Sequence, residues 1–579
     1  MGMTADGLSS WQAETEGIDL LEMTIGELLD RCADELPTQE AIVYSCYPEF
    51  GDALDIRWAY QDYRDRANAV AKGLLALGLA KGDHIAVWAA NLPEWPILMM
   101  AAAKVGLVLV TINPLLQAAE VEYLLKQGDV QVLFFMARVR TYDHLATIRS
   151  LITPGGRPGS VTSERLPRLR LLCLMGMPPT GLREQEGWRP ALLGEVAASG
   201  LQVSEAALAE RQAAVTPLDP AMLLYTSGTT GSPKGAMLTH RGLLNNGWFM
   251  AQRCGLDQTD RLCLPMPFFH TAGVLSILMT LAAGSTLHPL LAFDPQKVLQ
   301  IISQERCTLS GGVPTMLLAM MQHPDFRTYD LSSLKQVLSG GAPVSVALME
   351  RVKEQIGADV CILFGQTEGL HITQTLPDDP FERKAATVGI PLPHTEVKIV
   401  NPATGDIVPC GERGELCCQG YLVMAGYYKM EDATAEAIDA EGWLHTGDLA
   451  TMDRSGYVNI VGRLKDMVIR GGENLFPREI EEFLMRHPQV ADVQVVGVPD
   501  AFFGEELLAV VIPKAGEPLI EQELRDYCKG QISHQKVPRY FQFVESYPLT
   551  ASGKVQKFVL REQAIKTLGL EEVAKIKTA

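Results

Sequence analysis

Apolar positions along the chain switch between helical and strand periods. Tyr60 to Leu77 keeps a helical stripe and runs into Gly78, which marks a helix end. His84 to Ala89 then reads as a buried strand, Glu94 to Gly106 as a helix, and Val108 to Ile112 as another strand. Alternation of this kind predicts βαβ units and a largely parallel sheet. It resumes between Leu238 and Leu363. Thr153 to Pro167, rich in Gly, Pro, Ser and Arg, reads as an exposed loop. From Gly389 to Val461 short strands punctuated by glycine predict a smaller β-rich subdomain. Beyond Arg463 the pattern is α+β, with helices at Pro477–Arg486 and Glu521–Gln531 and strands at Val493–Val498 and Leu507–Ile512. The change of texture puts a domain boundary at Gly462–Lys465. No solenoid-period repeat is visible.

Composition narrows the class. In 579 residues, 47% hydrophobic and 21% charged residues fit a chain with a substantial core, not a disordered or low-complexity one. A net charge of −19 argues against a nucleic-acid partner, whose footprint is a basic patch. The apolar stretch Ile97–Ile112 is interrupted by Lys104, and Ala272–Gly284 is too short for the roughly 20 residues a spanning helix needs. Residues 1–20 contain no Lys or Arg, so neither a signal nor a transit peptide is read there. The 11 cysteines lack Cys-x-x-Cys spacing, which suits a reducing, cytoplasmic setting.

One loop carries chemistry. Tyr225-Thr226-Ser227-Gly228-Thr229-Thr230-Gly231-Ser232-Pro233-Lys234-Gly235 follows the apolar run Met222–Leu224. Its glycines permit close backbone approach, its hydroxyls can donate hydrogen bonds, and Lys234 supplies charge, which together suit a polyphosphate. The spacing is not Gly-x-x-x-x-Gly-Lys-Ser/Thr, and a bare surface turn would not need the Pro-Lys-Gly ending. Glu368 stands just after the run Val360–Phe364 at a predicted strand end, where α/β sheets place ligand sites.

The loop resembles the signature of adenylate-forming enzymes, the group of acyl-CoA synthetases, firefly-type luciferases and peptide-synthetase adenylation domains. Further segments resemble that family's other motifs in order: Pro265–His270, Ser339-Gly340-Gly341-Ala342-Pro343, Phe364-Gly365-Gln366-Thr367-Glu368, Gly442–Asp448, Gly462–Asp466 and Pro548–Lys554. The resemblance covers residues 25–565. It implies an α/β fold: a large N-terminal domain (1–462) of αβ-sandwich subdomains plus the β-rich subdomain, a hinge at 463–465, and a small mobile α+β C-terminal lid (466–579).

Site residues follow by resemblance. Thr226, Ser227, Gly228, Thr229, Thr230, Gly231 and Lys234 would hold the phosphates of ATP. Gly341, Ala342, Pro343, Phe364, Gly365 and Gln366 would line the adenine side. Phe364 stands where the family more often has Tyr, keeping the stacking face without the hydroxyl. Thr367 would contact the α-phosphate, and Glu368 with Thr229 would hold Mg²⁺, an ion that favours few carboxylates plus phosphate oxygens. Asp448, which could also be an ordinary turn aspartate, would accept hydrogen bonds from the two ribose hydroxyls, reinforced by Arg463. His270 would orient the substrate carboxylate. Lys465 would be the hinge residue, and Gly471, Gly472 and Glu473 would border a tunnel for the pantetheine arm of CoA.

Chemistry makes a particular demand on Lys554. Two unit charges about 4 Å apart repel by about 4 kcal/mol at an effective dielectric of about 20. A substrate carboxylate and the α-phosphate must nevertheless meet, and a cation bridging them turns repulsion into attraction. The acyl pocket is expected between Trp248 and Ala342, including Phe269, His270, Gly273, Val274, Gly311, Gly312 and Ser339, with the glycines leaving room for a bulky or long apolar acid. No Lys or Arg in Phe269–Val274 or Gly311–Pro314 would pair with a second carboxylate.

The expectation is an ATP- and Mg²⁺-dependent acid–thiol ligase making acyl-AMP and then acyl-CoA from a medium- or long-chain acid. Its partners are a small carboxylic acid and CoA, with a homodimer left open. Two alternatives stand beside it: an adenylating enzyme that hands its acyl group to a carrier protein, and a nucleotide-binding regulator without chemistry, which the intact Thr229, Lys234, Glu368, Asp448, Arg463 and Lys554 disfavour. Light emission of the luciferase kind would need a dedicated pocket that the motifs do not reveal.

Overall fold

The computed structural model describes residues 7–178, 189–226, 233–342, 344–470, 473–500, 502–514, 516, 519–550 and 554–574. They divide into two compact units. One comprises Gln12–Glu396 with Cys418–Leu444; the other comprises Val397–Cys417 and the chain from His445 on, with the N-terminal residues up to Trp11.

The first unit is built on two large sheets. In the eight-stranded sheet the order runs Ala191–Leu192, Leu171–Met175, Val132–Met136, His84–Trp88, Val108–Ile112, Pro220–Thr226, Lys234–Thr239, Gly426–Tyr427. Its first six strands are parallel, and the last two add antiparallel. The nine-stranded sheet has a parallel centre, with Asp359–Gln366, Gln336–Gly340, Leu309–Gly312, Arg261–Leu264, Thr286–Pro289 and Glu40–Tyr44 side by side. Central strands buried on both faces read as continuous apolar runs, so His84–Trp88 and Val108–Ile112 were legible.

The helix Glu94–Lys104 ends where the interrupted apolar stretch does. Lys104 is buried and ion-paired with Asp30, and burial pulls its pKa down. No described helix is long and apolar enough to cross a membrane. The segment expected as an exposed loop, Thr153–Pro167, is exposed over most of its length but also holds an antiparallel pair, Thr153–Pro154 with Val161–Thr162. Val161 and Leu166 in it are buried in the core beside the first sheet, an anchorage that composition does not reveal.

The second unit carries the β-rich sheet, ordered Ser10–Gln12, Thr395–Val400, Gly414–Gly420, Leu444–Met452, Val458–Arg463. Its C-terminal part is α+β as expected. The long hairpin Val490–Asp500/Gly504–Pro513 pairs with Tyr540–Phe543 and packs against the helices Pro477–Leu484 and Lys557–Thr567. The helix expected over Glu521–Gln531 ends at Cys528, where Lys529 turns extended.

Candidate active site

In the first unit the strand Pro220–Thr226 leads into the phosphate-type loop. Ser227, Gly228, Thr229, Thr230 and Gly231 lie outside the described residues. The two ends of the loop are in register, Thr226 opposite Lys234 across an antiparallel ladder. Lys234 leaves the loop with its ammonium over the ring of Tyr427, 5.1 Å from the centroid. The same tyrosine hydroxyl donates to Glu368 Oε1 at 2.7 Å. Burial and the neighbouring Glu368 raise the Tyr427 pKa, so the phenol keeps its proton and remains a donor. Lys234, Tyr427 and Glu368 thus form one cluster in which one Glu368 oxygen is engaged by the phenol.

Glu368 sits on a short 3₁₀ turn, Thr367–Gly369, at the end of the strand Asp359–Gln366. The chain reverses sharply there. Leu370 takes φ +49°, a conformation costly for a branched side chain, and a Cβ at Gly365 would lie 2.0 Å from the Leu370 carbonyl. Only glycine lets the returning strand close over the motif. The Met424 N–H donates to the Glu368 carbonyl at 2.8 Å, tying the turn to a distant segment. Phe364, Gln366 and Thr367 are half-buried along this edge. Gly341 takes φ +74° and is exposed, Ala342 is half-buried, and Pro343 lies outside the described residues.

His270 caps the helix Thr271–Ala283, its Nδ1 accepting from the Ala272 N–H at 3.2 Å. The segment leading to it is clamped by Asn91. That side chain donates to the Met266 carbonyl (3.0 Å) and accepts from the Phe268 N–H (2.8 Å), while Thr111 Oγ1 donates to the Phe269 carbonyl (2.9 Å). Trp248, Phe269 and His270 are half-buried; Gly273, Val274, Gly312 and Ser339 are buried. Ser339 Oγ donates to the Gly312 carbonyl at 3.0 Å. The room expected at the glycines is absent at two of them. A Cβ at Gly273 would lie 2.2 Å from the Pro267 carbonyl and one at Gly311 2.9 Å from that of Leu338. These glycines admit backbone, not ligand. At Gly312 the nearest atoms belong to the flexible Met316 side chain, 3.3 Å away.

In the second unit Asp448 is not a turn residue. It lies within the strand Leu444–Met452, directly opposite Arg463 on Val458–Arg463, and is buried. Its Oδ1 accepts from Arg463 Nε at 2.8 Å, whereas Oδ2 is buried with no hydrogen-bond partner among the described residues. Burial pushes this carboxyl above its usual range, against the pull of Arg463 and of the Lys554 ammonium. Asp448, Arg463 and Lys554 therefore act on one another. Lys554 is half-buried and held through its backbone, its N–H donating to Thr550 Oγ1 at 3.0 Å and its carbonyl accepting from the Thr550 N–H at 2.7 Å. Lys465 is exposed on the short turn Leu464–Asp466. Gly471 and Gly472 lie outside the described residues, and Glu473 pairs by its backbone with Arg470.

Sequence reasoning missed Tyr427 and Asn91. Each acts on residues far away in the chain, and neither stands in a motif; the Gly426-Tyr427-Tyr428 run beside an otherwise glycine-punctuated stretch was the one available signal for the first.

These side chains define an enzyme class that forms acyl-adenylates from ATP. The description AMP-binding enzyme matches residues 29–428, and AMP-binding enzyme C-terminal domain matches residues 479–554. The chain belongs to this adenylate-forming family, on its acyl-CoA synthetase branch. It is 46% identical to YngI of Bacillus subtilis (strain 168) over 95% of this chain and 99% of that one. It is 38% identical to the mitochondrial medium-chain acyl-CoA ligase ACSF2 of Homo sapiens, over 97% and 91%. Among solved structures it is similar to the anthranilate CoA ligase AuaEII in complex with anthranoyl-AMP, with a TM-score of 0.78, 26% identity, and 96% and 100% covered. The protein is an AMP-forming acid–CoA ligase working through an acyl-AMP, with ATP and CoA as co-substrates.

Proposed function

We propose that the acid activated is a medium- or long-chain, or bulky apolar, monocarboxylate. The observation that carries the nucleotide side of this reading is the buried Asp448 carboxylate: one oxygen is committed to Arg463 and the other, removed from water, has no hydrogen-bond partner among the described residues. A buried polar atom left so is costly unless a ligand satisfies it, and vicinal ribose hydroxyls supply the missing donors. Support for an apolar acid comes from the lack of Lys and Arg in Phe269–Val274 and Gly311–Pro314, and from the similarity to the medium-chain acyl-CoA ligase ACSF2.

In this reading Thr226 to Gly231 and Lys234 hold the phosphates, and Gly341 to Pro343 with Phe364 to Gln366 hold the base. Thr367 binds the α-phosphate. Glu368 fits Mg²⁺, because Tyr427 engages only one of its oxygens, and Thr229 is its partner in that role. When bound, the ion neutralises phosphate charge. Lys554 draws the substrate carboxylate and the α-phosphate together, so that a carboxylate oxygen attacks phosphorus and pyrophosphate leaves. His270 orients the carboxylate, and Trp248, Phe269, Val274, Gly312 and Ser339 border the acyl chain. Residues 463–465, with Lys465 as pivot, separate residues 1–462 from a lid of 466–579. That lid presents Gly471, Gly472 and Glu473 to the pantetheine arm, whose thiol then attacks the acyl carbonyl and releases AMP. A cytoplasmic location belongs to the same reading.

Pyrophosphate release tests it, measured with linear, aromatic and polycyclic monocarboxylates and a dicarboxylate, with and without CoA. Linear or bulky apolar acids should give CoA-dependent thioester. Preference for the dicarboxylate, or adenylation with no thioester from free CoA, would overturn the reading.

A further inference from the structure

The strand that carries Asp448 begins at a cluster that neither the nucleotide nor the acid needs. Glu415, Cys417 and His445 place a carboxylate oxygen, a thiol sulfur and an imidazole nitrogen within 4.8 Å of one another. Two of these separations compare directly with those of a tetrahedral metal shell. With metal–sulfur and metal–nitrogen bonds of about 2.3 and 2.0–2.1 Å, tetrahedral edges come to about 3.5 Å for S···N and about 3.3 Å for N···O. The Cys417 Sγ to His445 Nδ1 distance is 3.5 Å and needs no change. The Glu415 Oε2 to His445 Nδ1 distance is 2.8 Å, so a hydrogen bond opens by about half an ångström as both atoms turn to the ion.

The surroundings suit such a site. Glu415 and Cys417 are two residues apart on the strand Gly414–Gly420, so their side chains leave the same face. The second Glu415 oxygen accepts from the Gly447 N–H at 3.0 Å, which orients the carboxylate. Thr446 Oγ1 donates to the Leu416 carbonyl at 2.7 Å and fixes the facing strand that brings His445. Glu415 and Cys417 are buried while the His445 side chain is 34% exposed, so an ion can enter from the solvent side and keep a water as its fourth ligand. A mixed thiolate, imidazole and carboxylate set selects Zn²⁺-like ions over Mg²⁺.

We propose that Glu415, Cys417 and His445 bind one thiophilic divalent cation of the Zn²⁺ class, separate from the nucleotide's Mg²⁺. Binding replaces the Cys417 S–H bond by a metal–sulfur bond, and the thiol proton passes to water, so affinity rises with pH.

Full-length protein, stripped with chelator, is titrated with Co²⁺ and the visible bands of a tetrahedral thiolate complex are followed. One Co²⁺ per chain should bind, be displaced by one Zn²⁺ and survive excess Mg²⁺. Cys417→Ser should abolish the band, and Cys418→Ser, at the adjacent buried thiol, should keep it. Should Cys417→Ser fail to fold, His445→Gln at the half-exposed position serves instead. It should weaken Co²⁺ by more than the roughly 10–100-fold that a supporting partner costs. Absence of a stoichiometric band, or its persistence in Cys417→Ser or at unchanged affinity in His445→Gln, would overturn the proposal.

Discussion

Replacing Asp448 by Asn separates a binding role from a structural one. The change keeps shape and one acceptor oxygen but removes the charge and turns the second oxygen into a donor. Among the described residues that second oxygen has no hydrogen-bond partner, so no hydrogen bond seen there is lost. The bond at risk is the one from Arg463, whose side chain is 57% exposed and can be solvated instead. Burial disfavours the Asp448 charge, so removing it leaves the nucleotide-free protein as stable as before or slightly more so. The sign follows from linkage. A carboxyl raised above its unfolded value of about 3.9 keeps its proton longer in the folded state. Wild-type stability therefore falls as pH climbs from that value through the raised one, and the Asn variant does not share this fall. Nucleotide binding goes the other way. A hydrogen bond to a charged group is worth about 1.5–3 kcal/mol, so the KM for ATP should rise about 10–100-fold. Pyrophosphate release at saturating acid gives that KM, and calorimetry of the free enzyme gives Tm. An unchanged KM, or a raised KM accompanied by a Tm loss of many degrees, would refute the reasoning.

Two further outcomes follow from the geometry. Tyr427→Phe removes the phenol from Glu368 while keeping the ring under Lys234; kcat/KM for ATP should fall about tenfold, with more Mg²⁺ needed for half-maximal rate, and an unchanged Mg²⁺ dependence would count against the cluster. Asp492, half-buried in the hairpin, has its pKa pushed up to about 6, first by burial and then by Glu481. Its proton is held in the folded state between about pH 4 and 6, so stability is lost as pH rises through that window. Asp492→Asn should thus match wild type near pH 4 and exceed it by about 1–2 kcal/mol at pH 7, after discounting for partial exposure, in urea unfolding.

Local pattern carried much of the architecture. Strands such as Val108–Ile112 are apolar on both faces and bounded by turns, so they announce themselves. Two of the motifs likewise lie at strand ends, those of Thr226 and Glu368. Information about long-range pairing was not legible. Local sequence leaves an ordinary turn aspartate after Gly447 open as the alternative for Asp448, yet cross-strand pairing with Arg463 makes it part of a ladder. Gly273 reads as space for substrate, yet the Pro267 carbonyl fills that space, because a missing side chain does not say what approaches it. Asn91 and Tyr427 are invisible for the same reason: their partners, Phe268 and Glu368, are 177 and 59 residues away.

The central claim is that the Lys554 ammonium joins two anions for the first half-reaction. Lys554→Ala, assayed by acid-dependent exchange of pyrophosphate into ATP, measures that step without CoA. Loss of one preorganised charge contact should slow exchange by about 10²–10³-fold, while thioester formation from supplied acyl-AMP and CoA changes far less. Exchange at the wild-type rate, or equal losses in both halves, would contradict the account.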